Sequence, residues 1–404
     1  MRKVLLSTLL SALPLLCQTA QLSGLIKDSS DAAVPNAKLT VTNQETGVNR
    51  VMESNGIGVY TAPLLQPGVY RVLVQAAGFQ SMSREGIKLD VDQDARLDFT
   101  LEIGKLEQTL TVSADAAVIN TENASVSTVV ERQVVANMPL NGRSFQGLIT
   151  LTPGVATVAA NTTATAQFVV NGQRSDTSYF SVDGVSANVA APPGGTLSSN
   201  GTGSAPSTSA TGGYNNMVSI DALQEFRMST SSFAPEFGRT PGGQISMVSR
   251  NGTNAFHGDV FDYFRNTVLD ANDWFLNAAA KARGVVQEND FGGVVGGPVV
   301  KSKLFFFASY EGLRLQAPSP GVKKVPSQAA RALATAANSG GLTGYMAQFA
   351  NSYPLPDGNP STPCTSFATC ALNYSASFPG KSVMDNTSTR GDYSLNKRMT
   401  LFGR

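Results

Sequence analysis

The sequence predicts a mainly β chain: a small N-terminal sandwich, a mixed α+β middle segment, and then strands of membrane type. Three observations predict it. Leu97, Phe99, Leu101 and Ile103 alternate with Arg96, Asp98, Thr100 and Glu102, the period-two pattern of a half-buried strand. Apolar runs are short, and glycine (38 residues), serine, threonine and asparagine are abundant, which favours strands and turns over helical bundles. Late in the chain Leu304, Phe306, Ala308 and Tyr310 alternate with Phe305, Phe307, Ser309 and Glu311. A lipid-facing row beside a mixed lumen-facing row is what a membrane strand requires.

The first residues set the compartment. Arg2 and Lys3 precede an uncharged apolar run from Val4 to Leu16, followed by Gln18-Thr19-Ala20. This predicts a secretory signal peptide over residues 1–20, cleaved after Ala20. The run is too short for the roughly 20 apolar residues of a spanning helix. Cys17 raises a lipoprotein reading, against which stands the bulk of Leu16 before it. No later segment reads as a transmembrane helix, so entry into a membrane must be as a barrel, which satisfies every backbone group in lipid. Thirty basic and 29 acidic residues argue against a nucleic-acid partner. Beyond the leader, Cys364 and Cys370 remain, and export favours a small disulfide loop between them. No histidine lies near them to support a metal.

Residues 21–103 read as a compact all-β domain. Leu39 and Val41 alternate with Lys38, Thr40 and Thr42, and Tyr70, Val72 and Val74 repeat the pattern. Turns are marked by Val34-Pro35-Asn36, Asn55-Gly56, Gln66-Pro67-Gly68 and Ala77-Gly78. Short strands at this spacing build a sandwich. Gly24 with Asp28, Val34-Pro35-Asn36-Ala37, Gly58-Val59-Tyr60 before Leu65, Pro67-Gly68-Val69-Tyr70 and Ala77-Gly78-Phe79 follow one another in an order that resembles the carboxypeptidase regulatory-like domain. That resemblance implies a transthyretin-like, carbohydrate-binding-like sandwich that is an accessory module and not a peptidase. A glycan-binding role and a spacer or docking role both stay open, with no aromatic platform for a sugar evident.

Residues 104–249 change character. Leu106 to Val112 alternate, then Ala/Asn/Ser-rich sequence leads to Met138-Pro139-Leu140-Asn141-Gly142-Arg143-Ser144-Phe145. Ser144 is placed to cap a short helix that Pro153-Gly154 stops. Phe168 to Arg174 and Tyr179 to Val185 read as two strands with tight turns, and Pro192 to Gly213 as a low-complexity loop. Further on come Ile220-Asp221-Ala222-Leu223-Gln224-Glu225-Phe226, Glu236-Phe237-Gly238-Arg239 and Gly242-Gly243-Gln244-Ile245. In this order the motifs resemble the plug domain of TonB-dependent outer-membrane receptors, in particular the Oar-like group with an N-terminal carboxypeptidase regulatory-like domain.

Residues 250–404 look like the start of an outer-membrane β-barrel. Asn251-Gly252-Thr253-Asn254 leads into Phe256 to Phe261, and Lys301-Ser302-Lys303 is a short periplasmic turn between two strands. Residues 317–389 show little periodicity and are expected to be a long extracellular loop. Tyr393 and Leu395 open another strand, and the next starts at Met399. Four or five strands do not close a barrel, and an open edge in lipid is costly. The expectation is therefore an N-terminal fragment of a protein whose family resemblance implies about 22 strands.

The sequence points away from enzymatic chemistry and from a bound cofactor. The single histidine, His257, lies in a predicted strand, so histidine-rich metal sites and Glu-x-x-His motifs are unavailable. No glycine-rich run continues into a phosphate-binding Lys-Ser/Thr. Asp90, Asp92 and Asp94 alternate and are read as the solvated face of a strand. Arg390-Gly391-Asp392 matches an adhesion tripeptide, but its place at a strand start favours a structural role.

The resemblance implies active import. An unknown extracellular substrate (siderophore, vitamin, oligosaccharide or peptide) binds loops and plug, and the TonB complex pulls from the periplasm. TonB would join by strand addition, for which Glu107, Gln108, Thr109, Leu110, Thr111, Val112 and Ser113 are the candidates. The same residues read equally as a last strand or linker of the sandwich. Arg143, Arg174 and Arg239 are candidates to pair with carboxylates on the barrel wall and hold the plug. The competing reading is a cell-surface glycan-binding or adhesion protein. Outer-membrane lipid is the environment in the first reading.

Overall fold

The computed structural model describes residues 19–104, 109–113, 125–138, 146–158, 167–173, 177–187, 218–231, 233, 238, 241–272, 274, 277, 283, 285–336, 348–349, 351–356, 371–396 and 399–404. Residues 262–291 with 312–383 form one compact unit, and the other described residues form a second. The expected leader falls almost wholly outside the described residues. Its last residue, Ala20, is buried and opens the first strand.

The sandwich is built from β1 (Ala20–Asp28), β2 (Lys38–Asn43), β3 (Asn49–Glu53), β4 (Val59–Leu65), β5 (Gly68–Gln75), β6 (Ser81–Leu89), β7 (Asp94–Arg96), β8 (Phe99–Leu101) and β9 (Thr109–Ser113). One sheet runs β4-β1-β7 with β8 also on β1, and the other runs β3-β2-β5-β6-β9. Alternate residues point into the space between them: Leu22 and Ile26 from β1, Leu39 and Val41 from β2, Val72 and Val74 from β5. This is the polar/apolar alternation of the sequence converted into burial.

Gly24 shows why the motif residues are what they are. A methyl group there would collide with the carbonyl oxygen of Leu97 and with the ring of Tyr60. The Tyr60 hydroxyl donates to that same Leu97 oxygen at 2.6 Å. Glycine thus permits the close crossing, and the tyrosine satisfies the buried carbonyl. Gly24→Ala is expected to destabilise the sandwich by about 1–3 kcal/mol, seen as a lower denaturation midpoint; an unchanged midpoint would refute the packing argument.

Two expectations are corrected here. The strand after Arg96 ends sooner than its alternation suggests: Ile103 is 76% exposed and makes only a single bridge to Phe79. Asp90, Asp92 and Asp94 do not line a solvated strand face. Asp90 and Asp92 lie in the turn from β6 to β7, where Asp92 takes a positive φ of 51°, and Asp94 is the first residue of β7. A two-residue period inside a tight turn imitates a strand.

The middle domain comprises β10 (Val126–Glu131), α1 (Arg132–Asn137), α2 (Gln146–Ile149), β11 (Val155–Val158), β12 (Gln167–Val170), β13 (Tyr179–Val182), β14 (Val185–Ser186), β15 (Leu223–Ser231) and β16 (Gln244–Ser249). Five of these form the sheet β10-β15-β16-β13-β14, and β11 pairs with β12. The short helix and the two strands lie where the turn signals placed them. Asp183 and Gly184, with φ of 49° and 82°, make a two-residue turn between β13 and β14, the conformation that favours Asp-Gly. The core gathers Phe168, Phe180, Phe226, Met228, Ile245 and Met247.

The third segment is a five-stranded sheet in sequence order: β17 (His257–Asn266), β18 (Gln287–Val300), β19 (Leu304–Pro326), β20 (Ala371–Asn396) and β21 (Met399–Gly403). Val294 and Phe307 join the core of the middle domain, which fixes the inner face of this sheet. Phe305, Phe307, Ser309 and Glu311 are buried on that face while Tyr310 is exposed on the other, as the alternation predicts. The expected long loop over 317–389 is corrected: β19 runs on to Pro326, a helix α3 (Gln328–Ala336) follows, and β20 begins at Ala371. Periodicity missed these extensions because the backbone ladder that holds a strand does not require its side chains to alternate. Among the described residues no helix is long and apolar enough to cross a membrane, which leaves strands untested.

Candidate functional site

A cluster of buried charges forms where the β13–β14 turn reaches the inner face of β20. Asp183 sits at the first turn position, which holds its carboxylate at the end of the hairpin. One oxygen accepts from the Ser249 backbone N–H at 2.9 Å and the other from the Ser249 hydroxyl at 2.7 Å. Arg390 Nη1 pairs with Asp183 at 3.0 Å, and Arg404 Nη1 reaches its other oxygen at 3.3 Å. Arg390 also grips Asp392 with both remaining nitrogens, each at 2.9 Å. Its guanidinium lies 5.2 Å from the centre of the Phe402 ring. Asp183, Arg390 and Asp392 are 4%, 6% and 4% exposed.

This cluster is a latch between hairpin and wall. Two carboxylates and a forked guanidinium satisfy one another bidentately, the geometry in which arginine surpasses lysine. Removing any one member leaves a buried charge, so the pair resists partial opening more than it adds net stability. Gln66 of the sandwich donates to Asp392 at 3.1 Å, so a loop of the first domain reads the same cluster.

A second set of pairs has the opposite polarity. Asp259 on β17 receives Arg132 of α1 at 3.0 Å and Arg250 at 3.1 Å. Arg250 also donates to the Asp221 carbonyl at 3.2 Å and lies over the Phe307 ring at 5.3 Å. Its surroundings are desolvating, which lowers the guanidinium pKa, partly offset by Asp259. Arg132 of the middle domain thus meets a carboxylate of β17.

Arg143, Arg174 and Arg239 lie outside the described residues, as do Glu107, Gln108, Cys364 and Cys370. Thr109, Leu110, Thr111, Val112 and Ser113 form β9, which pairs in parallel with Ser81 to Glu85 of β6, the sandwich-strand alternative for that segment. Sequence reasoning noticed Arg390 and Asp392 only as a tripeptide. Their burial rules out an exposed adhesion loop. The informative feature was their spacing of two on a strand, which puts both charges on one face. Asp183 was legible as a turn residue, but nothing local revealed its partner more than 200 positions away. Among the described residues no group of three or more metal-ligating side chains gathers. His257 is an interface residue, stacked near Phe307 with ring centres 6.5 Å apart.

Comparison with known proteins agrees with this architecture. An outer membrane β-barrel domain model matches residues 248–404, and a carboxypeptidase regulatory-like domain model matches residues 21–102. The TonB-dependent transporter Oar of Myxococcus xanthus is 25% identical over 308 residues, covering 72% of this chain and 26% of the relative. The chain thus spans about a quarter of the length of that relative. Among solved structures, the outer membrane transporter YddB of Escherichia coli aligns with 12% identity and a TM-score of 0.42 over 68% of this chain and 31% of its own. The siderophore receptor PirA of Acinetobacter baumannii aligns with 18% identity and a TM-score of 0.35 over 50% of this chain and 28% of its own. The relative matched in sequence is named a transporter. The N-terminal sandwich of this chain thus matches a carboxypeptidase regulatory-like domain, its strand wall matches an outer membrane β-barrel domain, and the relative matched in sequence is a TonB-dependent transporter.

Proposed function

We propose that the chain serves active import across the outer membrane, with the middle domain acting as the plug. An extracellular substrate binds, TonB grips a strand on the periplasmic side, and force drawn from the inner membrane frees the plug from the wall. The observation that carries this reading is the buried Asp183–Arg390 pair, which ties a hairpin of the middle domain to the inner face of a membrane strand. Such a tie holds firmly until its members are pulled apart together.

Arg143, Arg174 and Arg239 extend the same scheme. Glu311, buried on the inner face of β19, is the kind of wall carboxylate they would meet. The Cys364–Cys370 loop and the leader over 1–20 belong to this reading as features of an exported protein. Siderophores, vitamins, oligosaccharides and peptides are the substrate classes to be tried. Uptake of the active substrate is expected to fall to background in a strain lacking TonB. Import that continues unchanged there would overturn the proposal, and surface binding without import would favour a glycan-binding or adhesion role.

A further inference from the structure

The turn between β6 and β7 of the sandwich is held by two neighbouring charges of the plug. Glu225 on β15 accepts the Val91 backbone N–H at 2.5 Å. Arg227, two residues on and therefore on the same face, donates to the Val91 carbonyl at 2.7 Å and to the Asp92 carbonyl. Its Nε donates to the Ser127 hydroxyl of β10 at 2.9 Å. A carboxylate and a guanidinium thus grip the N–H and the C=O groups of one turn. Lys88 bridges to Glu131 of β10 beside them and lies 3.4 Å from Asp90.

We propose that this clasp is a proton-operated joint, closed in acid and loosened in mild alkali, that decides whether the sandwich moves with the plug. Glu225 is 4% exposed, and the groups around it are mostly of its own sign. Asp90 comes from the sandwich turn and Glu131 from β10, while Asp92 and Asp94 face the neighbouring Arg227. Lys88 and Arg227 oppose them. Burial, reinforced by Asp90, pushes the Glu225 carboxyl up to about 7, while the Val91 N–H and Lys88 pull it down. A sandwich lifted off the clasp would return Glu225 to water and to an ordinary carboxyl pKa near 4.5.

The sign follows from linkage. The docked state holds a proton that the undocked state has released between those two values. Docking is therefore strongest below 4.5 and is lost progressively as pH rises through about 7. Arg227 keeps its charge throughout this range, and Lys88 does not titrate in it. Because β9 hydrogen-bonds to β6, a closed clasp makes the plug and the candidate TonB strand one mechanical piece. The joint rests on contacts independent of transport, so a failed uptake test leaves it standing.

Hydrogen exchange at the Val91 amide, in the whole protein and corrected for the intrinsic pH dependence, reads the joint directly. Protection is expected to be on the order of fiftyfold greater at pH 5 than at pH 8. Glu225→Gln keeps an acceptor oxygen but carries no charge, and should be protected equally at both values. Asp90→Asn should keep the pH dependence and move its midpoint lower. Equal protection of the unaltered protein at pH 5 and pH 8 would overturn the proposal. So would a pH dependence that survives Glu225→Gln, or a midpoint unmoved by Asp90→Asn.

Discussion

Replacing Arg390 with alanine is expected to cost about 3–5 kcal/mol of the attachment between the middle domain and the strand wall. The side chain is shared by Asp183 and Asp392, both buried. Its loss leaves Asp392 with the Gln66 amide, and Asp183 with Ser249 and the longer contact to Arg404. The two carboxylates, both largely buried, then repel without the guanidinium between them. Arg390→Lys should recover only part of the loss, since an ammonium cannot fork to two carboxylates. Replacing Arg390 by Met together with Asp183 and Asp392 by Asn should cost less than Arg390→Met alone, because neither carboxylate is then left buried without its guanidinium. The measurement is the urea concentration at which the middle domain unfolds or detaches while the strands stay folded. An unchanged midpoint in Arg390→Ala would remove the latch from the account.

The sequence carried those parts of the fold that repeat locally. Period-two alternation located the sandwich strands and the two faces of β19, down to Phe305 and Phe307 inside and Tyr310 outside. Turn chemistry located Asp183-Gly184, and the glycine at position 24 marked a close crossing. What stayed hidden depends on contacts between distant segments. Asp183 meets Arg390, and Glu225 meets Val91, through chain separations that no window of residues spans. Charges were also mistaken in kind. Asp90, Asp92 and Asp94 looked like a solvated strand face because a turn docked against another domain has the same composition as one facing water. The extensions of β19 and β20 were missed for the reverse reason: ladder bonds use the backbone, which leaves no mark in the side chains.

Proline substitutions in β9 should separate the two uses of that strand. Its residues Thr109 to Ser113 pair with Ser81 to Glu85, and among the described strands its other edge is open. Backbone groups of successive residues in a strand point to opposite sides. Leu110→Pro and Thr111→Pro therefore delete donors on opposite edges, one facing β6 and one facing outward. If TonB adds a strand to the open edge, one of the two prolines should weaken TonB contact roughly tenfold, the worth of about one net hydrogen bond and a misfit ring. That same variant should leave the sandwich as stable as before. The other proline should loosen β9 from β6 and lower the stability of the sandwich. If TonB instead takes β9 away from β6, the loosening proline should raise TonB contact, because the competing ladder is already weakened. Cross-linking to TonB and denaturation of the sandwich, measured on both variants, distinguish these routes. Wild-type levels of cross-linking in both would show that TonB engages some other segment, and the sandwich-strand role of Thr109 to Ser113 would then be its whole function.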